Sequence, residues 1–312
     1  VSTNDFTGWL LDAAMPSIRY LTLRHLLDLT EDDPEVRSAR TAIMQTGPVP
    51  VMLAKQTADG HWEGERSFYT PKYVSTHWSM VLMVEFAADP DDPRVQQGVE
   101  FMLADTESRV LDSHAPEQQD WVCFWGNLLR YVAYCGRADD PRVGNIVKTL
   151  VLASQARGWG CRHNDELACA WGAVRALWGL AALPADQRTP EIEAAIQSGV
   201  EFVYDPAYSL SAGDYPTPGA AHKHWSRLNF PLFYQADILF ALRVAADLGV
   251  LDQPRAREAV NWLVERRQAN GRWRGTSPYR SNTWRDLGDR AETDRWVSLH
   301  AALVLKRAGY SV

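Results

Sequence analysis

No run of about 18 consecutive apolar residues occurs in this 312-residue chain, so no segment reads as a membrane-spanning helix. Cysteine is scarce. The four present (Cys123, Cys135, Cys161 and Cys169) need no disulfide framework in a chain this long, and read as core filler or as ligands in a reducing compartment. There is no run of Lys or Arg, and the net charge is −7. That excludes the electrostatic footprint of a nucleic-acid groove or an anionic membrane surface, leaving a small molecule as the expected partner. The opening stretch VSTNDFTGWLLDAAMPS lacks the basic-then-apolar layout of a secretory signal, so the expected location is cytoplasmic. What the chain does have is 46 % hydrophobic and 11 % aromatic residues, enough to fill the core of one large domain spanning residues 1–312.

Three segments repeat almost the same words: EDDPEVRSARTAIM from residue 31, PDDPRVQQGVEFML from 90 and ADDPRVGNIVKTLV from 138. RTPEIEAAIQSGVEFV from 188 and LDQPRAREAVNWLV from 251 are looser relatives. In most of them a capping Asp or Thr precedes a proline whose missing N–H costs nothing in a first turn, so a helix starts at each. Apolar residues then recur at helical spacing, as in Val143, Ile146, Val147, Leu150 and Val151. Between these one-sided helices lie segments apolar nearly all round, at 17–29, 72–89, 120–136, 166–183, 230–249 and 294–309. A helix apolar on every side must be buried on every side, so these form an inner layer and the capped helices an outer one. With FTGWLLDA (6–13) as a sixth outer helix, and terminal inner helices as apolar as the central ones, the expected fold is an all-α (α/α)6 toroid.

The turns that follow outer helices carry a further signal. QTADGHW (56–62) fits QxxxGxW, while QARGW (155–159) and QANGRW (268–273) are shortened forms. This resembles the QW repeat of the terpenoid cyclase and protein prenyltransferase superfamily, whose members share the α/α toroid; as an architecture the resemblance covers essentially the whole chain. In the turn, Gly allows a left-handed backbone, the Gln amide reaches free helix-end groups and the indole packs over a neighbouring helix end. Trp62, Trp159 and Trp273 are thus expected to fasten the fold rather than to react.

The resemblance implies a central aromatic pocket acting on a prenyl or other largely apolar small molecule, by acid/base-assisted cyclisation, isomerisation or hydration. The superfamily's DxDD and DDxxD strings are absent. Because a desolvated carboxylic acid or histidine moves protons and aromatic faces stabilise cations, the expected proton-transfer residues are Asp237, His163, Asp165 and Asp120. Trp78, Trp125, Trp171, Tyr234, His77 and Trp225 are the expected substrate walls. The resemblance to prenyltransferases also implies zinc, for which Cys161, His163, Cys169 and Cys123 supply suitably soft donors. Without zinc the chemistry needs no cofactor. Two alternatives stand beside this reading: a non-catalytic toroid that binds a lipid or a protein, and a carbohydrate-active (α/α)6 enzyme, whose aromatic platforms and paired carboxylates look alike in sequence.

Overall fold

A computed structural model of the chain describes residues 3–63, 67–114, 121–205, 223–285 and 287–312. The described residues are helical, with isolated bridges and no β-strand. In chain order the helices are α1 (Thr3–Leu11), α2 (Pro16–Leu21), α3 (Pro34–Gln45), α4 (Pro48–Leu53), α5 (Thr76–Glu85), α6 (Pro93–Asp112), α7 (Val122–Tyr134), α8 (Val143–Gln155), α9 (Ala170–Leu180), α10 (Pro190–Val203), α11 (Ile238–Leu248), α12 (Pro254–Glu265) and α13 (Arg290–Arg307). Among the described residues no helix is long and apolar enough to cross a membrane. The chain forms two compact units: residues 1–98, 227–232 and 260–312 make the first, and residues 99–226 and 233–259 the second.

The capping logic of the repeats is realised in atoms. Asp33 accepts the backbone N–H groups of Glu35 and Val36 at the start of α3. In the two DDPR copies the arginine is drawn into the turn at the helix start. Asp92 accepts the backbone N–H and guanidinium of Arg94, and Asp140 does the same with Arg142, all at 2.7–3.0 Å. The acidic clusters are therefore helix-start devices, which accounts for their recurrence.

In the second unit α7, α9 and α11 are buried nearly all round, whereas α8 and α10 bury only one stripe each, such as Val143, Ile146 and Leu150. Helices α7 and α9 run parallel and approach closely through glycine. A β-carbon added at Gly126 would lie 2.3 Å from the Arg175 carbonyl oxygen, and one at Gly179 would lie 2.4 Å from the carbonyl of Gly126. The Arg175 side chain, fully buried, then reaches the segment leading into α11. Its Nε and Nη2 donate to the Gln235 carbonyl at 3.0 and 2.6 Å, and its guanidinium carbon lies 3.9 Å from the centre of the Phe240 ring. Asn127 supports the same segment by donating to the Phe233 carbonyl at 2.9 Å.

The tryptophan turns work as fasteners in both units. Trp62 Nε1 donates to the Met52 carbonyl and Trp273 Nε1 to the Leu263 carbonyl, each at 2.7 Å and each to a residue ten positions upstream. The backbone N–H of each turns the other way, to a hydroxyl on the next inner helix: Thr76 in α5 for Trp62, and Ser298 in α13 for Trp273. Gln56 closes the first turn by donating to the carbonyls of Gly60 and Arg94. Gly60 and Gly271 adopt φ of +93° and +79°, a region in which a side chain is strained. The ring of Trp62 packs on Gly98 and that of Trp159 on Gly199, where β-carbons would lie 3.1 and 3.0 Å from the indoles. Those glycines share the words GVEF (98–101 and 199–202), which mark the indole seats in the sequence. The third indole, Trp273, meets Phe6 of α1 edge-on at 6.3 Å, so the beginning and end of the chain pack together within the first unit. Trp296 Nε1 on Met15 Sδ, and Lys306 on the carbonyls of His25 and Leu26, extend that contact.

Several boundaries differ from the sequence reading for identifiable reasons. The apolar segment 230–249 is helical only from Ile238, because Asp237 is its N-cap, accepting the Phe240 N–H at 2.7 Å. The first inner helix, expected over 17–29, gives way after Leu21 to a π turn over Thr22–Leu26, where Leu27 N–H donates to the Thr22 carbonyl.

Gly126→Ala is expected to destabilise the protein by about 2–3 kcal/mol or more, because its β-carbon meets backbone that cannot rotate away. Gly144→Ala, in α8 with nothing near its β-carbon, is expected to be neutral or to stabilise by up to about 1 kcal/mol. Urea denaturation of the two variants tests the contrast; equal midpoints would show that the helices separate without cost.

A second expectation concerns acid. Glu100 accepts from both Arg137 and Arg142, and Asp140 from the same two arginines. Hydrogen bonding to Arg142 is the main cause that lowers Glu100 to about 2 and holds Asp140 well below the usual carboxylate range. Both carboxyls have folded pKa values below their unfolded ones, so this contribution is fully present above about pH 5 and fades as pH falls toward 2. Because Glu100 is half exposed, Glu100→Gln should cost no more than about 1 kcal/mol at pH 7. Thermal melts should show the difference from wild type vanish near pH 2; a constant difference would rule out the network as its source.

Candidate functional site

In the first unit an acid and a base meet among aromatic rings. Glu85 is the last residue of α5 and His300 lies within α13; both are about 5 % exposed, and His300 Nε2 stands 4.0 Å from Glu85 Oε2. Trp296, one turn before His300, is on the same face of α13, as i,i+4 spacing requires, with ring centroids 5.6 Å apart. Phe230 stacks on Trp296 at 4.4 Å and 17° and meets the imidazole edge-on at 5.5 Å. Phe86, directly after Glu85, packs against Phe230 at 6.2 Å and Trp296 at 5.7 Å.

The short loop holding Phe230 is pinned rather than loose. Phe230 N–H donates to the Thr276 carbonyl, Thr276 N–H to the Leu228 carbonyl, and Thr276 Oγ1 bonds to Asn229 Oδ1 at 2.6 Å. The result is a carboxylate beside an imidazole, walled on one side by stacked rings. The pair and its rings are buried, Trp296 and Phe86 completely.

The expected site residues fall into separate places. His77 and Trp78 belong to the first unit, at the start of α5. His77 is fully buried, edge-on to Trp78 at 4.6 Å and stacked near Tyr69 at 6.2 Å. Trp78 donates its Nε1 to the Tyr69 carbonyl at 2.9 Å and packs on Tyr69 and Tyr73, the latter held at φ +73°. The others belong to the second unit or lie outside the described residues.

Trp171 and Tyr234 are brought together, edge-on at 6.2 Å. Trp125 and Trp225 are fully buried, and the Nε1 of Trp125 has no hydrogen-bond partner among the described residues. Of the four expected proton-transfer residues, three lie among the described residues. Asp237 caps α11 through Oδ1, so it stands before the helix rather than inside it. His163 and Asp165 are exposed on the loop before α9, and His163 Nε2 accepts from Trp121 Nε1 at 3.2 Å. Asp120 lies outside the described residues.

The Cys161 thiol hydrogen-bonds to Cys169, whose Sγ accepts the Gly172 N–H at 3.4 Å as the N-cap of α9, and Cys123 feels Cys169 electrostatically. Zinc does not fit this set. Among the described residues no three His, Cys, Asp or Glu side chains converge as ligands, and the Nε2 of His163 is turned to an indole.

Glu85 and His300 were not among the expected proton carriers. The reasoning that singled out Asp237, a lone carboxylate in an apolar inner segment, applies equally to Glu85 in SMVLMVEFAAD, and WVSLH announces the ring-over-imidazole spacing. What the sequence could not supply was that α5, α13 and the Phe230 loop converge. No protein-family model, curated protein or solved structure matches this chain.

Burial pushes the Cys123 thiol up to about 12. At pH 8 only about one part in 10⁴ is then thiolate, so iodoacetamide should label Cys123 about 10³-fold more slowly than free cysteine. Peptide mass spectrometry of a labelling time course checks this, and labelling at the free-thiol rate would refute it.

Proposed function

We propose that this chain is an α/α toroid of the terpenoid-cyclase type that acts as a proton-transfer enzyme on a largely apolar, prenyl-type small molecule. The architecture rests on the alternation of inner and outer helices, the recurring indole fasteners and the packing of α1 against the Trp273 turn. The observation that carries the chemistry is the Glu85–His300 pair beside the Phe230–Trp296 stack.

The chemistry of imidazole narrows the reaction. Imidazolium is too weak an acid to protonate an isolated alkene, whereas neutral imidazole removes a proton from a C–H next to developing positive charge or an electron-poor double bond. With Glu85 stabilising the imidazolium so formed, and rings facing the cationic or delocalised carbon skeleton, double-bond isomerisation fits better than cyclisation begun by protonation. The apolar surroundings exclude water that would quench such an intermediate.

The test is carbon–hydrogen exchange. Wild-type protein incubated in D₂O with a panel of prenyl diphosphates, alcohols and aldehydes should incorporate deuterium into one of them, read by mass spectrometry. His300→Asn should lower exchange by about 10²–10⁴-fold and Glu85→Gln by a smaller factor, with folding monitored by circular dichroism. Exchange equal to wild type in folded His300→Asn, or none by wild type across the panel, would overturn the reading.

A further inference from the structure

A second chemically distinct site lies in the other unit. The loop between Trp159 and α9 folds back on itself: Gly160 and Ala168 form an antiparallel bridge, Cys161 N–H donates to the Leu167 carbonyl and Cys169 N–H to the Trp159 carbonyl. This pairing places residues 161 and 169 on the same face of the two short arms, as diagonal neighbours. Their thiols are in hydrogen-bond contact, and both residues are half-buried rather than sealed in the core. The turn is under backbone constraint, with Trp159, Asp165 and Glu166 at φ of +63°, +51° and +62°. Asn164 fastens it further by donating its side-chain amide to the Ala168 carbonyl at 3.0 Å.

The two sulfurs are not equivalent. Cys169 Sγ sits at the start of the 11-residue helix α9 and accepts the Gly172 N–H. A backbone donor and a helix N-terminus favour negative charge on that sulfur. Cys161 has no such helix start beside it, and its thiol is raised well above the usual range by its contact with Cys169 and by burial.

We propose that Cys161 and Cys169 form a reactive dithiol that undergoes thiol–disulfide exchange with low-molecular-weight disulfides, Cys169 attacking and Cys161 resolving. This is independent of the proton-transfer chemistry assigned to Glu85 and His300. In the first step the Cys169 thiolate attacks one sulfur of the disulfide RSSR, the S–S bond breaks and RS⁻ leaves, giving a mixed disulfide on Cys169. Cys161 then loses its proton to solvent and attacks Cys169 Sγ, and the second RS⁻ leaves. The dithiol gives up two electrons and two protons, and RSSR becomes two RSH. Closing the S–S bond to about 2.05 Å requires the two side chains to move together from hydrogen-bond contact. The product ties the loop that carries His163 covalently to the first residue before α9.

The experiment uses the full chain in oxidised/reduced glutathione buffers, quenched with acid and N-ethylmaleimide, with disulfides located by peptide mass spectrometry. Wild type is expected to yield a Cys161–Cys169 disulfide that dithiothreitol reverses. Cys161→Ser should stop at glutathione on Cys169, since the resolving thiol is gone, and Cys169→Ser should lower glutathione attachment at Cys161 about tenfold or more relative to Cys169 in Cys161→Ser. Because either variant could disturb the loop, the relative rates of the four thiols toward iodoacetamide are also read in wild type, where Cys169 should react fastest. Glutathione accumulating on Cys123 or Cys135 first, Cys161 reacting faster than Cys169, no internal disulfide at any glutathione ratio, or thiols masked by stoichiometric zinc would each overturn the proposal.

Discussion

An indole hydrogen bond to the end of an outer helix is the contact on which the helical layers depend. An outer helix ends with carbonyls that have no intrahelical donor, and a largely apolar inner helix offers few from its side chains. Trp62 and Trp273 solve both problems. The ring supplies apolar area to the layer interface while Nε1 satisfies one carbonyl, at Met52 or Leu263, and the backbone N–H reaches a hydroxyl on the following inner helix. A phenylalanine would keep the area and leave the carbonyl buried without its donor, at a cost of about 1–3 kcal/mol. Trp159 varies the device: its Nε1 bonds to Ser198 Oγ of α10, and its backbone is itself left-handed.

Once the turns are fastened, glycine sets how close helices come. Gly98 and Gly199 are seats for the rings of Trp62 and Trp159, and Gly126 and Gly179 let α7 and α9 touch backbone to backbone. That contact brings Arg175 against the segment before α11, where its charge is met by a carbonyl, an asparagine oxygen and the faces of Phe240 and Trp178. A buried guanidinium held this way is a positioning device, because removing it would leave the Gln235 carbonyl without its two guanidinium donors.

The two places proposed for chemistry differ in what builds them. The Glu85–His300 pair depends on two helices distant in sequence and on a pinned loop, and its aromatic wall is assembled from three separate stretches. The Cys161–Cys169 pair is local: a nine-residue loop, one bridge and one helix start are enough. Locality explains why Cys161 and Cys169 are visibly neighbours in the sequence while Glu85 and His300 are not.

The chain's own sequence determined the all-helical fold, the Asp-Pro starts of α3 and α6, the apolar inner helices and the structural role of the turn tryptophans. Each of these follows from periodicity, capping chemistry or turn geometry within a few residues. Asp237 shows where that reasoning stops. In sequence it is a carboxylate amid apolar residues, as Glu85 is; only the start of α11 made it a cap, and only the approach of His300 made Glu85 half of a pair. Tertiary structure decided those roles because the identity of a buried polar group's partner depends on which distant segment is packed beside it, and no local pattern encodes that contact.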